Sequence, residues 1–314
     1  MLPTRTLGSS GPEVSVLSLG SWRTFERIPR EQGIAVMRAA RAGGVTFLDD
    51  ARYDDETGDA PMRTGYSEVV FGELLRAAGW DRDEVTIANK LWWEWWPEQS
   101  AAEELDASLG RMGLDHVEVI YAMPGPARDS MHTVVEQVAG LIESGRVRAW
   151  GTGMWSAAMH HEALDVCDAI GAPRPVAAQM ANSLVDHRGP EDPEMRRAFD
   201  RGPIGLVASY VLAGGTLTGK YRRGGSGRAT SDESERAERG RGMGERVAAL
   251  AAAWGVPPTH VAFAWALQHP NLASLLFGAT TPAQVDDNLA AWDTFTTLGD
   301  DRLAEVRGLV EPSS

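Results

Sequence analysis

Three side chains at the ends of two strand-like runs could move a proton. In Gly44-Val45-Thr46-Phe47-Leu48-Asp49-Asp50-Ala51-Arg52-Tyr53 a short β-branched and aromatic run reads as a buried strand, with two carboxylates at its end and a phenol just beyond. A second run, Val85-Thr86-Ile87-Ala88-Asn89, ends on Lys90. An ammonium within reach of a phenol favours the phenolate and lowers its pKa, which assists proton exchange near neutrality. Asp49 would hold that ammonium charged and oriented. The chemistry requires both strand ends on one face.

A barrel of parallel strands meets that requirement, because loops at the C-terminal strand ends can be shaped without disturbing the core. The chain alternates accordingly. Strands are expected at 16–19, 45–48, 85–89, 117–121, 147–152, 176–180, 204–209 and 272–277. Helices are expected at 32–42, 67–78, from Ala101, and at 131–144, 157–170 and 282–292. Ser100 and Glu103 form a capping box at the third of these, and Gly43-Gly44 and Gly79 are helix stops. About eight strand–helix units are what a closed (β/α)₈ TIM barrel requires. The fold class is therefore α/β, with one domain over residues 1–314 and no linker. The Gly/Arg/Ser/Glu-rich run from Arg222 to Gly244 reads as a surface loop, followed by helices at 247–254 and 260–268.

Composition narrows the function classes. Of 314 residues, 43% are hydrophobic and 24% charged, enough for a self-sufficient core. A net charge of −14 argues against nucleic acid or an anionic membrane as the main partner. The single cysteine, Cys167, excludes an internal disulfide, and a reducing, cytoplasmic setting fits. It sits in an amphipathic helix, as packing rather than as a nucleophile. His132, His160, His161 and His187 lack metal-ligand spacing, so no metal is expected, and His160 and His161 are expected to face solvent. Trp92, Trp93, Trp95 and Trp96 crowd the loop after Lys90, around Glu94. Four indoles need partners for their N–H groups. They read as a substrate wall of Trp92 and Trp93 for a flat apolar, glycosyl or cationic ligand, or else as a self-packed loop or protein contact.

Six segments in order now carry a resemblance: R-T-L-G-S-S-G, G-V-T-F-L-D-D-A, S-E-V-V-F-G-E-L-L, T-I-A-N-K, T-L-T-G-K-Y and G-A-T-T-P-A-Q-V-D-D-N. Along essentially its whole length the sequence resembles an aldo-keto reductase, of the bacterial branch that also resembles potassium-channel β subunits. The resemblance implies NADP(H) extended across the strand ends and hydride transfer to a small-molecule carbonyl, with a tyrosine as proton donor. It maps the pyrophosphate loop onto Tyr210 to Gly215, through Leu212, and a phosphate-binding lysine onto Lys220. Arg228 matches an arginine near the adenosine phosphates, and Gly278 with Thr280 to Asn288 matches the adenosine site. Asp287 stands where Glu is frequent, and Ser21 and Trp22 match the cofactor-facing exit of the first strand. Residue chemistry agrees at one end: Thr281 as N-cap, Pro282 at N1 and Gln284 closing a capping box make a helix start that favours an anion such as a 2′-phosphate.

The catalytic end departs from the family pattern. Asp49 matches the acid and Lys90 the lysine, but strict register puts Asp54 in the tyrosine's place, with Tyr53 one residue early. The loop to Ser67 is long enough to re-aim Tyr53, which is taken as the proton donor, with Tyr66 and Asp54 as alternatives. Met123 replaces a histidine, removing a hydrogen-bond donor toward a carbonyl oxygen. Gln179 keeps the family glutamine at the nicotinamide amide. Gly153 and Met154 replace a hydroxyl and an amide or arginine, and Asn182 replaces a stacking aromatic. Two functions follow from different classes: an NADP(H)-dependent oxidoreductase acting on a carbonyl, imine or sugar hydroxyl, or a redox-sensing or partner-binding protein that keeps the cofactor and has lost the hydride chemistry. Oligomeric state is left open.

Overall fold

The computed structural model describes residues 2–125, 130–219 and 234–310. Eight parallel strands close into a barrel: β3 (Leu17–Gly20), β4 (Phe47–Asp49), β5 (Thr86–Leu91), β6 (Val117–Ala122), β7 (Val147–Gly153), β8 (Ala177–Ala181), β9 (Gly205–Ser209) and β10 (Leu272–Phe277), with β10 paired to β3. Around it lie α1 (Arg30–Ala42), α2 (Tyr66–Ala78), α3 (Ala101–Met112), α4 (Met131–Glu143), α5 (Ala157–Ile170), α6 (Arg188–Glu191), α7 (Pro193–Arg201), α8 (Glu235–Trp254), α9 (Pro258–Leu267), α10 (Pro282–Thr297) and α11 (Asp300–Arg307). This is the expected (β/α)₈ TIM barrel.

Barrel strands are buried on both faces, so they read as near-continuous apolar runs, and alternate residues point to opposite sides. Inward-facing Phe47, Ala88, Val119, Tyr121, Ala149, Ala177, Val207 and Ala273 form one cluster with Leu7 and Val14. Outward-facing Leu48, Ile87, Leu91, Ile120 and Leu206 pack in a second, larger cluster under the helices. Leu7 and Val14 come from a hairpin not foreseen in the sequence, β1 (Thr4–Thr6) with β2 (Glu13–Ser15). Arg5 Nη1 donates to the Leu272 carbonyl and Ser15 N to Thr46 Oγ1, so the hairpin caps the end where strands begin.

Other boundaries shift for local reasons. The capping box of Ser100 and Glu103 forms as expected. The run read as a loop from Arg222 to Gly244 is helical from Glu235 onward, while 220–233 lies outside the described residues. Glycine there serves contact rather than a turn: a Cβ on Gly240 or Gly244 would collide with Thr216. His160, expected at the surface, is fully buried, with Nε2 against Thr152 Oγ1 (2.8 Å) and Nδ1 against the Ser156 carbonyl (2.9 Å). Burial lowers its pKa, which keeps the ring neutral at neutrality. Cys167 is buried as packing, its thiol pushed up to about 11 by burial. No single described helix is long and apolar enough to cross a membrane.

Because Gly244 meets the backbone of Thr216, Gly244→Ala is expected to overpack that contact and destabilise the fold by about 1–3 kcal/mol. Urea denaturation checks this; an unchanged midpoint would show that α8 shifts freely.

Candidate active site

The period-two rule places the polar residues at the barrel mouth. Phe47 and Asp49 share the inner face of β4, Ala88 and Lys90 that of β5, Val119 and Tyr121 that of β6, and Ala177 and Gln179 that of β8. Register makes Asp49 level with Ala88 and Lys90 level with Tyr121. Asp49 and Lys90, nearly inaccessible, form an ion pair of 2.6 Å between Nζ and Oδ1. Gln179 Nε2 donates to the other carboxylate oxygen at 2.9 Å. Lys90 Nζ also donates to the Tyr53 hydroxyl at 3.1 Å.

Tyr53 reaches Lys90 because the long loop is folded back on itself beyond it. Its N–H lies against the Ala51 carbonyl and Ser67 Oγ, and its carbonyl accepts from Gly65 N at 2.9 Å. Asp54 bridges to Thr64 and Asp55 N donates to Arg63 O, so the extra residues form a narrow projection. Tyr66 sits elsewhere, its hydroxyl accepting from Arg30 Nη2 at 3.0 Å, and Asp54 is exposed. Among the three candidates for the proton donor, Tyr53 is the one brought to Lys90.

The direction of the Tyr53 pKa corrects the sequence expectation. It lies well above the usual phenol value, chiefly through burial, with the charges of Asp49, Asp50, Glu26 and Glu68 adding to the rise. The Lys90 ammonium, paired with Asp49 at 2.6 Å, does not outweigh burial and these charges. Tyr53 is therefore a protonated hydrogen-bond donor rather than a ready phenolate.

Asp50, the second carboxylate of the pair, faces away from Lys90's ion pair and accepts from Ser21 Oγ. Its Oδ2 is buried without a partner among the described residues. Burial pushes its pKa well above the carboxylate range, and the Glu68 charge adds to the shift.

Met123 ends β6's inner row, and its Sδ lies against Gly153, where a Cβ would collide with it. A glycine at 153 thus accommodates the thioether. Trp93 is not a pocket wall: it is buried, and its Nε1 donates to the Met123 carbonyl at 3.0 Å. Trp92 stands edge-on to Tyr53, ring centroids 6.1 Å apart, with a buried Nε1 that has no partner among the described residues. Buried Glu104 fixes both indoles' backbones, accepting from Trp92 N (2.8 Å) and Trp93 N (3.1 Å). Arg52 bridges the loops, paired with Glu94 at 2.8 Å and stacked on Trp95. Sequence reasoning passed over Tyr121, Glu104 and Arg52; the alternation that reveals Lys90 would have revealed Tyr121.

The remaining mapped positions line the rim. Trp22 and Tyr210 approach to 6.5 Å between ring centroids, and Arg236 covers Tyr210 while pairing with Asp186. Between Leu212 and Thr218, Gly214 and Gly215 take φ of 67° and 89°, which strips side chains from a loop that could approach a pyrophosphate closely. Asn182 is buried, and its Nδ2 has no partner among the described residues, a donor suited to a carboxamide oxygen. Gly278 is exposed just past β10. Thr281 caps α10, but Gln284 Oε1 accepts from Thr280 N and Oγ1 rather than closing the box on Thr281. Asp287 is held by Thr259 Oγ1 at 2.8 Å, and Asn288 is buried. Lys220 and Arg228 lie outside the described residues. The glycine loop, the helix start and the orphaned Asn182 amide fit a dinucleotide.

An acid whose folded-state pKa is raised contributes stability that is full below its unfolded pKa and is lost as pH rises through the folded one. Asp50→Asn is expected to gain on the wild type as pH rises from the carboxylate range to neutrality. Urea midpoints across that range measure it; a pH-independent difference would show that Asp50 does not titrate there.

Comparison with known proteins accords with this geometry. A profile of the Aldo/keto reductase family matches residues 16–311. A protein of Oryza sativa subsp. japonica described as "Probable voltage-gated potassium channel subunit beta" is 28% identical over 330 aligned positions, covering 98% of this chain and 96% of the relative. Its counterpart of the same description in Arabidopsis thaliana is 28% identical, covering 94% and 92%. General family chemistry is NAD(P)H-dependent oxidoreduction. With an eight-stranded barrel, an Asp–Lys–Tyr cluster at its mouth and a profile match over nearly its whole length, the chain belongs to the aldo/keto reductase family.

Proposed function

We propose that the protein is an NADP(H)-dependent oxidoreductase, cytoplasmic, that exchanges a hydride between nicotinamide and a small-molecule carbonyl, imine or sugar hydroxyl. The observation that carries this reading is the buried Lys90 bonded at once to Asp49 and to the Tyr53 hydroxyl. When bound, the reduced cofactor supplies the hydride. Ser21, Trp22, Gln179, Asn182 and the Tyr210–Gly215 loop would hold it, with the start of α10 and Lys220 favouring the 2′-phosphate form. Tyr53 donates its proton to the oxygen of a carbonyl substrate. Lys90 stabilises the phenolate left behind, and Asp49 keeps Lys90 charged. Met123 offers no second donor, and loss of a comparable donor elsewhere slows turnover by about 10²–10³.

A second reading is supported by that same Met123 and by the description of the relatives as channel subunits: a cofactor-binding protein whose hydride chemistry has faded, serving as a redox sensor or partner. Stopped-flow NADPH oxidation against carbonyl and imine panels separates the two, since tight NADPH binding with no turnover favours the second.

Lys90→Met and Tyr53→Phe are expected to lower carbonyl turnover by roughly 10²–10⁴ while leaving NADPH affinity nearly intact. Wild-type rates in Tyr53→Phe would move the donor to Tyr66 or Asp54. Because the phenol pKa is raised, carbonyl reduction is expected to show no alkaline limb from Tyr53 below a pH of about 10. A limb near neutrality that disappears in Tyr53→Phe would contradict that protonation state.

A further inference from the structure

The mouth also says what kind of reacting group it would accept, an argument that rests on the hydride-transfer reading above. Donors come first. The Lys90 ammonium is divided between Asp49 and Tyr53. Position 123 presents a thioether, and the Trp93 N–H is taken by the Met123 carbonyl. The Tyr53 hydroxyl has a proton still to give, beside the third Lys90 N–H and the Trp92 Nε1, which has no partner among the described residues.

Charge points the same way. The Tyr53 hydroxyl lies in the field of Asp49, Asp50, Glu26 and Glu68, each of which works against added negative charge. Asp54, the next residue, is exposed and makes no ion pair among the described residues. Asp55 is held down to about 2 by the Thr57 hydroxyl and the turn's N–H groups, so the projecting loop keeps a permanent anion. Aromatic surface completes the setting. Trp22, Tyr53, Trp95 and Tyr210 are already covered by Arg23, Lys90, Arg52 and Arg236. Trp92, standing against Tyr53, is covered by no cation among the described residues. A half-open indole beside a phenol and rim carboxylates is a setting that attracts organic cations.

We propose that the reacting group is itself a cation: a planar iminium, C=N⁺, seated against the Trp92 ring beside the Tyr53 hydroxyl, with Asp54 and Asp55 of the projecting loop as counter-charge. In the reductive direction the hydride from the dihydronicotinamide forms the new C–H bond, and the C=N π pair moves onto nitrogen. The product is a neutral amine, and for a fully substituted nitrogen no proton leaves the protein. Positive charge passes from substrate to nicotinamide, so the net charge at the mouth is unchanged. The donor missing at Met123 then costs nothing, because no oxyanion forms.

Two measurements test this. In the first, cofactor-free protein is titrated calorimetrically with N-methyl-3,4-dihydroisoquinolinium and with 1-tetralone, its neutral carbonyl analogue. The cation is expected to bind at least about tenfold tighter, and Asp54→Asn to weaken the cation without changing the ketone. Equal affinities, or a ketone preference, would overturn the inference. In the second, loss of NADPH absorbance is followed with each compound. Iminium turnover is expected to exceed ketone turnover by at least about 10², and Met123→His to narrow that gap by raising the ketone rate. Ketone turnover without iminium turnover overturns this inference and leaves the hydride-transfer reading standing. Turnover of neither, with NADPH bound, overturns both.

Discussion

Everything at the barrel mouth depends on a buried ion pair. Two charges taken out of water carry a desolvation penalty of several kcal/mol each, which mutual attraction offsets only when the remaining polar positions are also satisfied. Asp49 meets this by using both oxygens, one for Lys90 and one for Gln179, and Lys90 by turning a further donor to Tyr53. Three strands and one loop are thereby tied to one another. A shift of β5 by a single residue would turn Lys90 outward among the apolar side chains under the helices and leave Asp49 uncompensated.

The same rule governs the carboxylates around the pair. Glu68 accepts from Asn89 and Arg111, Glu104 from the backbone of the tryptophan loop, and Glu118 from Ile87 N and Arg82. Each is a buried acid used to fasten a loop or helix to the barrel. Asp50 differs, having one oxygen without a partner among the described residues, and burial pushes its pKa up. Loop shape follows from these attachments. Tyr53 is placed by Ser67 and Gly65 at the base of its loop, so the extra residues beyond it can project without moving the phenol.

Much of this was legible in the residues. Alternation of apolar runs and helical periodicity located the barrel strands to within a residue or two, and Ser100 with Glu103 marked a helix start that forms as read. Asp49 and Lys90 could be paired because both end buried runs. What sequence could not supply was tertiary. Glycines at 240 and 244 look like loop punctuation, yet they allow α8 to press on Thr216. His160 has the polarity of a surface residue, but its two ring nitrogens are matched inside by Thr152 and Ser156. Trp93 looks like its neighbour Trp92, and only the position of the Met123 carbonyl separates a buried strut from a ring beside Tyr53. The Tyr53 pKa ran opposite to expectation because burial, with the neighbouring carboxylates adding to it, outweighs the paired ammonium.

The N-terminal hairpin has a consequence for traffic. With Leu7 and Val14 filling the end where the strands begin, the barrel is a cup with one door. A long ligand laid across the rim and a small one reaching down to Tyr53 must share that door, so whichever lies deeper has to arrive first and leave last. Queueing of this kind is built into the architecture before any loop moves.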